Sequence, residues 1–423
     1  MAKIKHVRAR QIIDTKCRPI VEVDVETDCG SIGRGSAPTG TSVGMYEAYV
    51  LRDNNPDEYF GMSVHKAVDN VNRLIAPAIT GMDICGQKAI DECMIALDGT
   101  KNKSNLGGNA IYSVSIAVLR AAAASNGVEV YRHLLGKDIK TVPVPSFNVV
   151  NGGKNGDVIQ PFNEFLIVPY NADGIDEAVE IAVKVFRQIE IVLTDYLGKK
   201  PAIASSYGYG APSDDADVVL SLMSKAVEAC GYGNKVAFAL DCASSSMYDA
   251  ETNTYLLKGS RVTADELIAY TKILCSKYPM VFVEDLLDEN DWDGFKRAAN
   301  EIKNTIMIGD DFTASDLSRV KRAYEEKSID GFILKPNQVG TITEALQTYE
   351  YAKKNNMYTV PSGRSGGVVG DIIMDFAVGL EVDFIKNGAP RTGERIEKLN
   401  FLMRANSLSN GCQMADLSKI VRF

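Results

Sequence analysis

Short apolar runs, each closing on a charged residue, recur between Val236 and Lys386. Val236–Leu240 runs into Asp241, Met280–Val283 into Glu284, Thr305–Gly309 into Asp310, Gly331–Leu334 into Lys335 and Val382–Ile385 into Lys386. One more run, Met357–Val360, leads into the polar loop Pro361–Gly367. The runs have strand length, are rich in Val, Ile and Phe, and do not alternate, as expected of strands covered on both faces. Helical patterns separate them. In Ala264–Leu274 the residues Leu267, Ile268, Thr271 and Leu274 fall three or four apart. Glu284, Asp310 and Lys335 follow at intervals of 26 and 25 residues, room for one strand, one helix and two loops. Such repeats predict an α/β fold with a parallel sheet, and several in succession predict a TIM-type barrel. The C-terminal strand ends of a barrel open on one face. Asp241, Glu284, Asp310, Lys335 and Lys386 would then meet at one mouth. A single charged strand end usually just meets solvent; five, sorted as three acids and then two bases, point to a site.

The earlier part of the chain reads differently. Residues 1–34 form strands, and Ile20–Thr27 alternates apolar and charged positions, so one face is solvated. Asp28-Cys29-Gly30 supplies a hairpin turn. Gly35–Gly44 is a loop of small residues, equally suited to a plain connection or to a lid over a ligand. Residues 63–80, 87–97 and 109–125 are helical, the last Ala-rich and therefore buried. Lys137–Thr141 reads as a linker. It divides a smaller N-terminal α+β capping domain, residues 1–138, from a barrel domain, residues 139–423. In the latter, Val142–Gly153 is a strand with a turn after it, and Asn163–Pro169 begins another strand. Glu164 stands at its start, where a glutamate ordinarily faces water. Residues 175–197, 214–230 and 391–406 are helical, and Ser205–Pro212 is an irregular loop.

A length of 423 residues exceeds what one core usually holds, consistent with two domains. A net charge of −9 argues against nucleic acid as the main partner. The eight Cys are scattered without a Cys-x-x-Cys pair, which suits reduced thiols in a cytoplasm. Lys3, Lys5, Arg8 and Arg10 break any apolar run at the amino end, so no signal peptide is expected. No apolar stretch is long enough for a bilayer, and no membrane partner is expected. The three His, His6, His65 and His133, sit in ordinary strand and helix patterns. Acid–base chemistry therefore falls to Lys and carboxylates.

Several segments, in chain order, resemble the enolase family. Leu334–Glu344, with Lys335-Pro-Asn-Gln-Val-Gly340, is similar to the family's signature, and Pro38–Ala48 to its mobile active-site loop. Asp98–Ser104, Glu284-Asp285 with Asp291-Trp292, Gly309-Asp310-Asp311, and Ile385–Pro390 with Glu394-Arg395 match as well. The resemblance implies an enolase-like barrel and a magnesium-dependent hydro-lyase converting 2-phosphoglycerate to phosphoenolpyruvate. It implies Asp241, Glu284 and Asp310 as magnesium ligands, with Ser42 on a second magnesium. Lys335 is implied as the base for the α-proton, with Lys386 beside the substrate carboxylate, Arg364 and Ser365 on the phosphate, and Glu164 assisting departure of the hydroxyl. A small phosphorylated acid as substrate and a homodimer or larger homo-oligomer follow from the same resemblance.

Three positions depart from the family pattern. Tyr207 stands where a second glutamate is expected, Asn155 where a Ser-His-Ala-Gly loop has its His, and Gly363 where Ser-His-Arg-Ser has its His. Tyr207 and Asn155 become candidate substrate contacts. Neither Asn155 nor Gly363 donates a proton as an imidazolium does, and Tyr207, with a reference pKa near 10, is a weaker acid than a tuned glutamate.

The charge count constrains the proton-abstraction step. Asp241, Glu284 and Asp310 oppose Lys335, Lys386 and Arg364, three against three. Without metal the acids hold Lys335 protonated. Two dications reverse the local field and lower its pKa toward that of a usable base. Three readings follow: the family hydro-lyase; a diverged member making an enolate from a related phosphorylated or phosphonylated acid, with another leaving group or electrophile; or a non-enzymatic metal-binding scaffold.

Overall fold

The computed structural model describes residues 2–40, 44–153 and 162–423. Ser42 and Asn155 lie outside the described residues.

Strands Ile4–Ile13, Pro19–Thr27 and Ile32–Ser36 form an antiparallel meander. The alternation in the middle strand buries Val21, Val23 and Val25 and leaves Glu22, Asp24 and Glu26 partly exposed. The helix Gly108–Ser125 lies against this buried face. Its approach is close enough that a Cβ on Gly33 would stand 2.0 Å from the Ala117 carbonyl oxygen, and one on Gly35 2.2 Å from that of Ser113. Only glycine fits there.

The helix expected over 63–80 is interrupted. His65–Asn70 is α-helical, Val71–Ile75 makes a π turn, and Ala76–Ile79 resumes the α-helix. Pro77 sits in that last turn; it has no N–H to give and its ring crowds the preceding turn, which the wider π turn relieves.

The long sheet runs in the order Tyr358–Pro361, Gly331–Leu334, Ile306–Gly309, Met280–Glu284, Ala237–Asp241, Glu164–Val168, Val144–Asn151 and Phe384–Lys386. It curls until its two edges touch through the parallel bridge between Ser362 and Lys386. Leu166, Ala239, Phe282, Ile308, Ile333 and Phe384 fill the inside. A larger apolar layer lies between the sheet and surrounding helices, among them Ile175–Leu197, Ala216–Ala229, Ala264–Lys277 and Gly393–Ser407.

The sheet is not wholly parallel, as the spacing alone predicts. Glu164–Val168 runs antiparallel to both neighbours, pairing Glu164 with Asp241 on one side and with Asn151 on the other. Residues buried on both faces show no alternation, so the pattern carries no sign of strand direction. The reversal moves Glu164 from the expected solvent position. The start of a reversed strand lies level with the ends of the parallel ones.

Polar groups tie the meander and its helices to the barrel. The buried Asp91 carboxylate accepts from Ser115 Oγ (2.7 Å) and from Thr343 N (3.0 Å) and Oγ1 (2.6 Å). Lys103 Nζ lies 3.0 Å from Glu344. Arg18 donates to the Thr39 and Gly40 carbonyls, anchoring the stem of the small-residue loop beside Gly366.

Candidate active site

Each charged residue that closes a barrel run sits at the C-terminal end of its strand, so the register of the sheet brings them level. Glu284 pairs with Asp241 and Lys386 pairs with Ser146 across adjacent strands. A cavity of about 310 Å³ opens at this end, lined by Glu164, Asp241, Asp310, Lys335, Arg364, Ser365 and Lys386 among others. Its volume falls at the small end of ligand sites. Glu284 lies fully buried beneath it.

The Lys386 ammonium is the hub. It donates to Glu284 Oε2 at 2.6 Å and Asp241 Oδ2 at 3.0 Å, and lies 3.4 Å from Glu164 Oε2. Lys335 pairs with Asp310 Oδ2, whose other oxygen accepts from Gln338 Nε2 at 3.0 Å. Gln338 is brought there by the short helix Pro336–Val339 directly after Lys335. Asn148 Nδ2 donates to Glu164 at 2.9 Å. Asp285, at a left-handed φ of 45°, turns back and accepts from the Asp310 and Asp311 backbone N–H groups at 2.8 and 2.7 Å.

The titration directions follow from this crowding. Burial pushes the Asp241 and Glu284 carboxyls up, against the pull of Lys386. Burial opposes ionisation of Asp310 too, but Lys335 and Lys386 outweigh it and hold that carboxyl below its ordinary value. Burial works against the Lys335 and Lys386 ammoniums, yet their facing acids keep both above the usual lysine range. Lys335 is therefore a cation in this form, as the charge count anticipates.

The residues present fit a hard divalent cation. Among the described residues, Glu284 Oε1 is buried without a hydrogen-bond partner, and carboxylates are the donors such an ion takes. The acids whose oxygens lie within 4.8 Å of one another are Asp285, Asp310 and Asp311 rather than Asp241, Glu284 and Asp310. The physical reason is visible: ammoniums stand between the latter three acids.

Arg364 and Ser365 line the cavity. The Arg364 guanidinium also grips Glu47 of the small-residue loop with two hydrogen bonds, 2.7 and 3.2 Å long, in a buried pair. Tyr207 is not among the residues lining the cavity. Its backbone is left-handed (φ 70°), its hydroxyl donates to the Thr15 carbonyl at 3.4 Å, and the Arg395 guanidinium covers its ring at 5.1 Å. Ser206, one residue earlier, faces the cavity instead. Sequence reasoning did not single out Asn148, Gln338, Glu47 or Lys398. The one local signal was Gln338, three residues beyond Lys335 in the signature segment.

Comparison with known proteins gives a consistent result over the whole chain. Residues 4–134 match the family model described as the enolase N-terminal domain, and residues 139–419 the enolase C-terminal TIM barrel domain. Among curated relatives, the chain is 38% identical over 427 residues to a protein named enolase from Corynebacterium kroppenstedtii, covering all of both chains. It is 39% identical over 402 residues to the enolase of Methanococcus vannielii, covering 95% of this chain and 94% of that one. It is 40% identical over 408 residues to the enolase of Methanopyrus kandleri, covering 96% and 95%. Among the described residues, no helix is long and apolar enough to cross a membrane.

Proposed function

The chain belongs to the enolase family, and from that premise we propose that it is a magnesium-dependent hydro-lyase interconverting 2-phosphoglycerate and phosphoenolpyruvate. The observation that carries this reading is the convergence of Lys335, Lys386, Glu164, Asp241 and Asp310 on one cavity, with Glu284 directly beneath. In this reading Asp241, Glu284 and Asp310 hold the magnesium ion, and Ser42 from the loop contributes to a second one. Bound there, magnesium supplies positive charge against the charge that develops on the substrate carboxylate. Lys335, its Asp310 partner drawn away, would release its proton to solvent and, as the neutral amine, take the substrate's α-proton. Lys386 moves from its acid cluster to the substrate carboxylate. Arg364 and Ser365 hold the phosphate, with Arg364 already drawing Glu47 and the loop stem over the mouth. Glu164, oriented by Asn148, delivers a proton to the departing hydroxyl.

We further assign residues 1–138 to a capping domain and 139–423 to the barrel domain, and the assembly to a homodimer or larger homo-oligomer. Eight free thiols support a cytoplasmic setting.

The test is formation of phosphoenolpyruvate from 2-phosphoglycerate, followed by absorbance, with magnesium and with excess chelator. Turnover that survives the chelator refutes the reading. Tyr207, turned out of the cavity, and Gly363, without a side chain, favour one alternative: a diverged member that forms the enolate but expels or captures another group. That alternative predicts exchange of the α-proton with solvent that outruns elimination, measurable by NMR in deuterated water.

A further inference from the structure

The wall of the cavity away from the acids has its own chemistry. Asn387 is 1% exposed and lines the cavity. Among the described residues, neither its Oδ1 nor its Nδ2 has a hydrogen-bond partner. A buried amide with both ends unpaired costs about 1–3 kcal/mol for each group left unsatisfied, so a ligand atom or water is called for. Two cations line the same wall. Lys398 Nζ stands 2.8 Å from where a Cβ on Gly363 would be, so the missing side chain opens its path to the cavity. Gly388 does the same for Arg395, whose Nη1 lies 2.6 Å from the corresponding Cβ position. Both cations lean on one carboxylate: Glu394 is 2.7 Å from Lys398 and 3.7 Å from Arg395. Asp371 is the other acid facing Lys398, and burial pushes its carboxyl up against the pull of that ammonium. The wall thus carries two cations and an unused amide donor.

We propose that Asn387, Arg395 and Lys398 form a subsite for a third anionic group, a carboxylate-type oxyanion on the substrate besides its phosphate and first carboxylate. This rests on the reading of the cavity given above and extends it: besides 2-phosphoglycerate, which has one carboxylate, the cavity takes phosphorylated hydroxy acids that carry a second. The Asn387 amide and the Lys398 ammonium donate to that group, and Arg395 supplies charge from behind Ser206, whose carbonyl it already holds at 2.7 Å.

The probes are 2-phospholactate and 2-phosphomalate, which differ by one carboxylate. Their dissociation constants are measured by calorimetry on the full chain in saturating magnesium. The subsite predicts 2-phosphomalate to bind at least about tenfold more tightly, the scale of one charge-assisted hydrogen-bond set. Asn387→Ala removes an amide without internal hydrogen bonds, so the fold survives, and the ratio drops several-fold. The pair Lys398→Met with Glu394→Gln removes both partners of the ion pair together and drops the ratio further. Equal or weaker binding of 2-phosphomalate overturns the subsite while leaving the enzyme reading intact. A ratio that neither variant changes overturns the assignment to these residues. Binding of neither probe overturns both readings.

Discussion

Lys386→Met tests the central electrostatic claim, that an ammonium serves as the internal counter-charge of the acid cluster. Methionine is unbranched and one heavy atom shorter, and it removes the charge together with the hydrogen bonds to Asp241 and Glu284. Lys386 is buried and touches Glu284 at 2.6 Å and Asp241 at 3.0 Å, with Glu164 at 3.4 Å. Removing one partner of a buried ion pair leaves the other uncompensated, a loss of about 3–5 kcal/mol. An unfolding entropy of about 2.1 cal/mol/K per residue over 423 residues gives roughly 0.9 kcal/mol/K. The metal-free variant should therefore melt about 3–6 °C below the metal-free parent. The same change leaves the acids without their competitor for a cation, so magnesium should raise Tm more in the variant than in the parent. A ligand at a hundred times its Kd contributes about 2.7 kcal/mol, most of what was lost. Calorimetric scans with chelator and with magnesium read both effects. A metal-free variant as stable as its parent, or one that gains less from magnesium, refutes the reasoning.

Further outcomes follow from other parts of the molecule. Lys335→Ala should lower exchange of the substrate α-proton by about 10²–10⁴-fold, the usual worth of a positioned base, while phosphate-directed binding of 2-phospholactate persists; proton NMR reads the first and calorimetry the second. Gly33→Ala places a Cβ 2.0 Å from the Ala117 carbonyl oxygen and 2.2 Å from Ala121 N. Both are backbone atoms that cannot swing aside, so a loss of at least about 1–3 kcal/mol is expected in urea unfolding. Asp375 is buried on the helix Ile373–Gly379, and burial pushes its carboxyl up to about 7 despite Arg120. The folded state then binds the proton more tightly than the unfolded one, so stability falls as pH rises from about 4 to 7. Asp375→Asn should flatten that slope and stabilise the protein at pH 8, which midpoints measured across pH in saturating magnesium will show.

Much of the site was legible because barrels impose a rule that sequence can express. A strand covered on both faces must be apolar until it leaves the sheet, so the first charge after each run marks a strand end. That located Asp241, Glu284, Asp310, Lys335 and Lys386 without any knowledge of neighbours. Partnerships were another matter. Arg364 with Glu47 joins residues 317 positions apart, and nothing local in either segment announces the other. Lys398 lies on the helix Gly393–Ser407 in an ordinary amphipathic pattern, where a lysine normally reads as a surface charge. Only the glycine at 363, by leaving room, makes it a wall of the cavity. Tyr207 shows the converse: its place in the loop suggested contact with ligand, but a left-handed backbone and the Arg395 stack turn its ring elsewhere.

The reversed strand explains why the acid cluster has four members rather than three. Were Glu164–Val168 parallel to its neighbours, Glu164 would open at the far end of the barrel, roughly a strand length of about 17 Å away. Reversed, it stands opposite Asp241 in register and shares the Lys386 ammonium. Glu164, Asp241 and Glu284 are thereby placed around one lysine but held by different neighbours. Asn148 donates to Glu164 and to Asn151, and Gln338 donates to Asp310. Glu164→Gln keeps an acceptor for Asn148 but has no acidic proton to give. Elimination of the hydroxyl should therefore fall by about 10²–10⁴-fold while exchange of the substrate α-proton persists. Elimination that stays at the parent rate would separate Glu164 from the departing hydroxyl.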